Sequence, residues 1–289
     1  MQPKAFFLPA ELVGGGKRFC LFYSAECGQN GRVTRGLVLY IHPFAEEMNK
    51  ARRMAALQAR ALAQAGFSVL QIDLLGCGDS SGDFGDAHWE NWVRDVVQGC
   101  HWLRSHSNTH DAALEPVPLW LWGLRAGCLL AVEAAKQLNE ACNFLFWQPP
   151  SSGKPLLQQF LRLKVAGDML GGQSKGVMES MRQELAAGSA VEIAGYTLNP
   201  GLASGLEQAT LVPPVSQDAT LRLEWFELST REDAGLSPVS AKTIAQWQQA
   251  GFSVGSHIVH GPAFWQTSEI EDAPALIAAT TAALSVMAI

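Results

Sequence analysis

Leu119-Trp120-Leu121-Trp122-Gly123-Leu124-Arg125-Ala126-Gly127 is the stretch on which the fold turns. Four large apolar residues in a row read as a strand buried on both faces, because a half-exposed strand would alternate with polar residues. From Ala126 to Leu138 the chain is rich in alanine and leucine and free of proline, which reads as a helix. Gly123 and Gly127 permit a strand-to-helix turn too tight for side chains on its flanks. Such a turn lifts its central side chain above the sheet, and that side chain is Arg125.

Working outward, strands and helices alternate. Gly36 to Ile41 is a second continuous apolar run, followed by helix-forming residues from Asn49 to Ala65 that stop at Gly66. Phe67 to Ile72 reads as a strand, Trp89 to Ser105 as a helix, and Phe144 to Trp147 as a strand ended by Pro149-Pro150. From Ser151 to Pro214 the rhythm breaks into helical pieces (Leu156 to Val165, Val177 to Ala187) among glycine- and proline-rich loops. It resumes with a strand at Leu221 to Leu228, a helix at Ser240 to Ala250, a strand at Phe252 to Val259 and a last apolar helix. At the front, Phe6 to Leu8 and Phe19 to Tyr23 flank Gly14-Gly15-Gly16 as a hairpin, with a further turn near Gly28 to Gly31. Repeating strand–helix units imply a mostly parallel sheet with helices on both faces.

Composition narrows the function classes. The 289 residues are 48% hydrophobic and 17% charged, the balance of a folded domain with a large core. A net charge of -6 without a basic run argues against nucleic acid as a partner. No apolar run reaches the roughly 20 residues that span a bilayer. Six cysteines without a Cys-x-x-Cys pair point to reduced core thiols in the cytoplasm rather than to zinc or disulfides, and neither metal nor cofactor is expected.

Four landmarks fall in order along the chain. Strand 37–41 ends in His42-Pro43-Phe44; a glycine-rich loop runs Asp73-Leu74-Leu75-Gly76-Cys77-Gly78-Asp79-Ser80-Ser81-Gly82, with Trp92 and Asp95 on the next helix. The elbow at Gly123 to Gly127 comes third, and Arg231 to Pro238, with Asp233, fourth. Together they resemble the α/β-hydrolase superfamily, whose elbow carries G-x-S-x-G with a catalytic serine at its centre. That resemblance implies a sheet of about eight strands flanked by helices. It divides the chain into a first part of the core at 1–150, an inserted lid at 151–214, and a second part of the core at 215–289. His42 to Lys50, the glycine loop, Trp122 to Gly127 and Trp147-Gln148-Pro149 together look like the exosortase A system-associated hydrolase 2 family. This closer likeness implies a bacterial exopolysaccharide setting. Shared fold does not fix the reaction.

The triad of the superfamily is not intact. Arg125 stands in the serine's place, and a guanidinium stays protonated and cannot attack a carbonyl. Aligning His260-Gly261-Pro262-Ala263-Phe264 with the superfamily's Gly-x-His-Phe pattern puts Ala263 at the base position. Asp233 at the acid position and His260, three residues before Ala263, are the remaining catalytic candidates; a cap, an ion pair or a structural strand end are their plainer roles. Cys128 falls inside the helix, and Ser80 and Ser81 in a loop where hydroxyls usually bond backbone. Two roles stand open for Arg125: pairing internally with Glu46 or Glu47, or gripping an anion with help from the Phe44 and Ala126 amides. Gln148 and Trp265, with Trp147 and Phe264, are placed at strand ends where they would line a pocket. Three functions follow: a binding protein without catalysis, which the residue chemistry favours; a non-serine enzyme of exopolysaccharide metabolism; and a hydrolase with a relocated nucleophile. The partner expected is a small anionic ligand or an exopolysaccharide-pathway protein.

Overall fold

The computed structural model describes residues 2–10, 16–26, 34–106, 117–170, 176–215 and 221–286. Eight strands form one sheet: β1 (Lys4–Pro9), β2 (Lys17–Tyr23), β3 (Gly36–Ile41), β4 (Phe67–Ile72), β5 (Leu119–Leu124), β6 (Asn143–Trp147), β9 (Arg222–Ser229) and β10 (Ser253–His260), in the order β1-β2-β4-β3-β5-β6-β9-β10. The last six in that order are mutually parallel, and β1 and β2 add an antiparallel edge. All residues of β3 and β5 are buried, as continuous apolar runs at the centre of a doubly covered sheet should be. The front hairpin is present in its strands, whereas the turns at Gly14-Gly15 and Gly28 to Gly31 lie outside the described residues.

Helices cover both faces. α1 (Glu46–Gln64) and α8 (Pro274–Ser285) pack together on one side, and α2 (Trp89–His106) and α3 (Ala126–Ala135) on the other, with α7 (Pro238–Gln249) against β10. No helix among the described residues is long and apolar enough to cross a membrane. α1 begins at Glu46 rather than Asn49, three residues earlier than its helix-forming run suggests, because Glu46 and Glu47 complete its first turn.

Between β6 and β9 the chain leaves the sheet for α4 (Lys154–Leu170), α5 (Val177–Ala186), a small hairpin of β7 (Val191–Ile193) and β8 (Tyr196–Leu198), and α6 (Pro200–Gln208). The hairpin and α6 carry no strong signal in the sequence, since three-residue strands are too short to show a period. This segment is packed down hard. Trp247 Nε1 donates to Leu211 O at 3.0 Å, and an added Cβ on Gly205 would fall 2.1 Å from Trp89 Cβ. Asn199 caps α6 by accepting from Gly201 N and also donates to Gly85 O, tying the insertion to the loop before α2.

Candidate functional site: the elbow arginine and its pocket

Arg125 adopts φ 56° and ψ -118°, a strained conformation for a residue with a side chain. Its N–H donates to Trp147 O at 3.0 Å and its carbonyl accepts from Cys128 N at 3.0 Å, which locks the turn between β5 and α3. Both flanking glycines are obligatory. A Cβ on Gly123 would lie 2.5 Å from Cys128 N, and one on Gly127 would lie 2.2 Å from Ile41 O. Ala45 (φ 49°) and Gln148 (φ 45°) share the strain at the ends of the neighbouring strands β3 and β6. Three strained residues side by side at the C-terminal ends of adjacent central strands mark the place where the backbone serves a site.

The arginine is fully engaged on one side. Its Nε and Nη2 reach Glu47 Oε1 at 3.2 and 3.0 Å, and Nη2 also donates to Gln159 Oε1 at 2.8 Å. The side chains of Arg125 and Glu47 are 13% and 17% exposed, so the pair is largely shielded from solvent. The guanidinium carbon sits 5.8 Å from the Trp265 ring centroid, within cation–π range. Gln266 Nε2 completes the cluster by donating to Glu47 Oε1 at 3.4 Å. Arg125 therefore bridges α1 to α4 of the insertion across the top of the sheet.

Glu46, one residue earlier, goes elsewhere. Its Oε2 accepts from Tyr196 Oη at 3.0 Å and from Asn49 Nδ2 at 3.4 Å, fastening the small hairpin. Burial and the Glu46 carboxylate push the Tyr196 phenol above its usual range. Above these contacts lies a pocket of about 280 Å³ lined by Phe44, Leu156, Phe160, Leu163 and Trp265 on its apolar side. Its polar side is Glu46, Glu47, Lys50, Gln159 and Gln266.

The other candidates are placed apart from it. Asp233 is exposed and, among the described residues, its side chain meets only Arg231, at 3.5 Å, in a loop whose own charges are solvated. His260 is exposed on the edge strand, and its side chain makes no hydrogen bond with a described residue. Neither lines the pocket, so the structure does not gather Arg125, Asp233 and His260 into one constellation. Ala263 is half-buried and lies among the residues packed on the α1/α8 side. The Gln148 side chain is spent on the sheet: its Oε1 accepts from Leu228 N at 2.9 Å, bridging β6 to β9 where both run out. Ala126 is buried as the first residue of α3, and Phe44 contributes its ring, 5.1 Å from Phe160.

Substitute nucleophiles fare no better. Cys128 is buried with Sγ 3.2 Å from Gly123 O, and burial raises its thiol well above the ordinary value. Ser80 Oγ donates to Asp73 O and accepts from Phe19 N, and Ser81 Oγ accepts from Lys17 N. His42 is likewise structural. Its Nε2 accepts from Leu74 N at 3.3 Å, so Nδ1 carries the proton toward Pro43 O, and burial lowers its pKa. No group of three His, Cys, Asp or Glu side chains among the described residues is placed to hold a metal.

Strand order, the insertion after β6 and the tight elbow after β5 define an α/β-hydrolase fold with arginine at the elbow. Solved structures agree. Est1E from Butyrivibrio proteoclasticus, with ferulic acid bound, superposes with a TM-score of 0.62 at 14% identity over 96% of each chain. XC6422 from Xanthomonas campestris, described as an α/β serine hydrolase without a lid, gives 0.53 at 14% identity over 98% of this chain and 92% of its own. A soluble variant of monoglyceride lipase from Saccharomyces cerevisiae gives 0.58 at 15% identity, over 98% and 95%. At these identities the likeness is one of fold alone. The human protein ABHD12B is 29% identical over 121 residues, which is 42% of this chain and only 29% of that protein's length. No protein-family model matches the chain.

Proposed function

We propose that this chain is a non-catalytic, ligand-binding protein built on the α/β-hydrolase scaffold, in which the elbow arginine braces the pocket instead of performing chemistry. The observation that carries this reading is the Arg125–Glu47–Gln159 cluster. Where a nucleophile would stand, a permanent cation is already paired. Glu47 is no free base either, since its Oε1 accepts from Arg125 and Gln266. With Asp233 and His260 exposed and outside the pocket, no proton relay among the described residues converges on it.

The pocket suits a small molecule with an apolar body and a polar end, its volume just under the roughly 300–1,000 Å³ range of ligand pockets. An exopolysaccharide setting is supported by the motif resemblance at His42 to Lys50 and around the elbow. Five buried, unpaired cysteines among the described residues fit a reducing compartment. Incubation with a fluorophosphonate probe is expected to leave the intact mass of the chain unchanged. A stoichiometric adduct would overturn the reading.

A further inference from the structure

Which ligand the pocket takes can be argued from the hydrogen-bonding groups that line it, a step that rests on the binding reading above. Arginine only donates, so its contact with Gln159 fixes the Oε1 of that amide toward Nη2. The Gln159 NH2 is thereby turned away from the arginine, and it has no partner among the described residues. The Lys50 side chain, on the same wall, makes neither an ion pair nor a hydrogen bond with a described residue.

The acceptors are in the opposite condition. Glu47 is neutralised by Arg125 and also receives Gln266, and the Oε2 of Glu46 already receives Tyr196 and Asn49. On the polar wall, then, Glu47 is spent and Glu46 is held through Oε2 alone, while the donors without a partner among the described residues are the Lys50 ammonium and the Gln159 NH2. Opposite them stand Phe44, Leu156, Phe160, Leu163 and Trp265. We infer that the pocket binds an apolar monocarboxylate, its carboxylate held by Lys50 Nζ and the Gln159 amide and its body against the aromatic and aliphatic wall. A diacid or phosphate monoester would set its second charge beside Glu46 or the apolar wall, and an amine would meet Lys50.

The test is calorimetric titration with three probes of one shape: 3-phenylpropanoate, 3-phenylpropan-1-ol and 3-phenylpropylamine. The acid is expected to bind at least about tenfold tighter than the alcohol or the amine, as a charge-assisted contact requires. Lys50→Met should remove that advantage without changing the alcohol, and Lys50→Arg should restore most of it. Equal binding of acid and alcohol, tightest binding of the amine, no binding of any probe, or no effect of Lys50→Met would each overturn the assignment. Covalent labelling by a fluorophosphonate is a separate readout. Labelling would sink the non-catalytic reading and leave the carboxylate preference standing, whereas lost acid preference without labelling sinks the preference alone.

Discussion

Asp95→Ala is expected to lower folding stability by about 3–5 kcal/mol, the cost of stranding one member of a buried ion pair. Arg18 Nε lies 2.7 Å from Asp95 Oδ2, with the two side chains 1% and 0% exposed. Asp95 Oδ2 also accepts from Leu75 N at 2.8 Å, so alanine would leave a buried guanidinium without its counter-charge and a buried amide without its acceptor. Against a total stability of roughly 5–15 kcal/mol for a domain, that is a loss of about a fifth or more. The pair joins β2 to α2 through the glycine-rich loop, and Trp92 Nε1, one turn away, holds the Leu75 carbonyl. Urea denaturation followed by tryptophan fluorescence reads the effect. The double replacement Arg18→Met with Asp95→Leu should recover most of the loss, because an apolar pair needs no compensation. A midpoint unmoved by Asp95→Ala would show that the pair contributes nothing.

Gly127→Ala is expected to cost about 3 kcal/mol, at the upper end of ordinary overpacking. The new Cβ would sit 2.2 Å from Ile41 O and 3.0 Å from His42 O, both backbone atoms at the end of β3 that cannot rotate aside. Relief requires α3 to move off the sheet. That motion would carry Arg125 away from Glu47, so the same variant couples stability to the pocket. Gly235→Ala is the control, since a Cβ there meets nothing within 4 Å. It should fall within about 0.5 kcal/mol of the parent, as surface changes generally do. Equal midpoints for the two variants would mean that the elbow is not as tightly packed as its geometry says.

Much of this frame can be read from the chain itself. Continuous apolar runs announce the central strands, and Gly123 and Gly127 announce the elbow, because their meaning is local. Ser80 and Ser81, expected to bond backbone, do so. What escapes is the partner of each polar group. Glu46 and Glu47 are neighbours in sequence, yet about 100° of helix rotation separates them, so one faces Tyr196 and the other Arg125. Nothing in their spacing says which, because the answer depends on the strained turn at Ala45. Gln159 and Tyr196 come from an insertion whose docking no periodicity encodes. Gln148 reads as a polar handle for a pocket, and its competing use, capping Leu228 at a sheet end, is visible only in three dimensions. Arg18 has no signal at all before α2 is seen to bring Asp95 beside it.

On the proposed reading, arginine at the elbow, paired with Glu47, takes the place of serine chemistry rather than masking it. Intact-mass measurement after fluorophosphonate treatment of the parent chain and of Arg125→Ser, side by side, tests it most directly. Both are expected to remain unlabelled. On the proposed reading, a serine placed at the elbow has no base beside it, since the motif resemblance puts Ala263 at the base position and His260 is exposed on the strand edge. Stoichiometric labelling of the parent would reveal a nucleophile elsewhere in the chain. Labelling of Arg125→Ser alone would show that a working base survives beside the elbow, and either result contradicts the account.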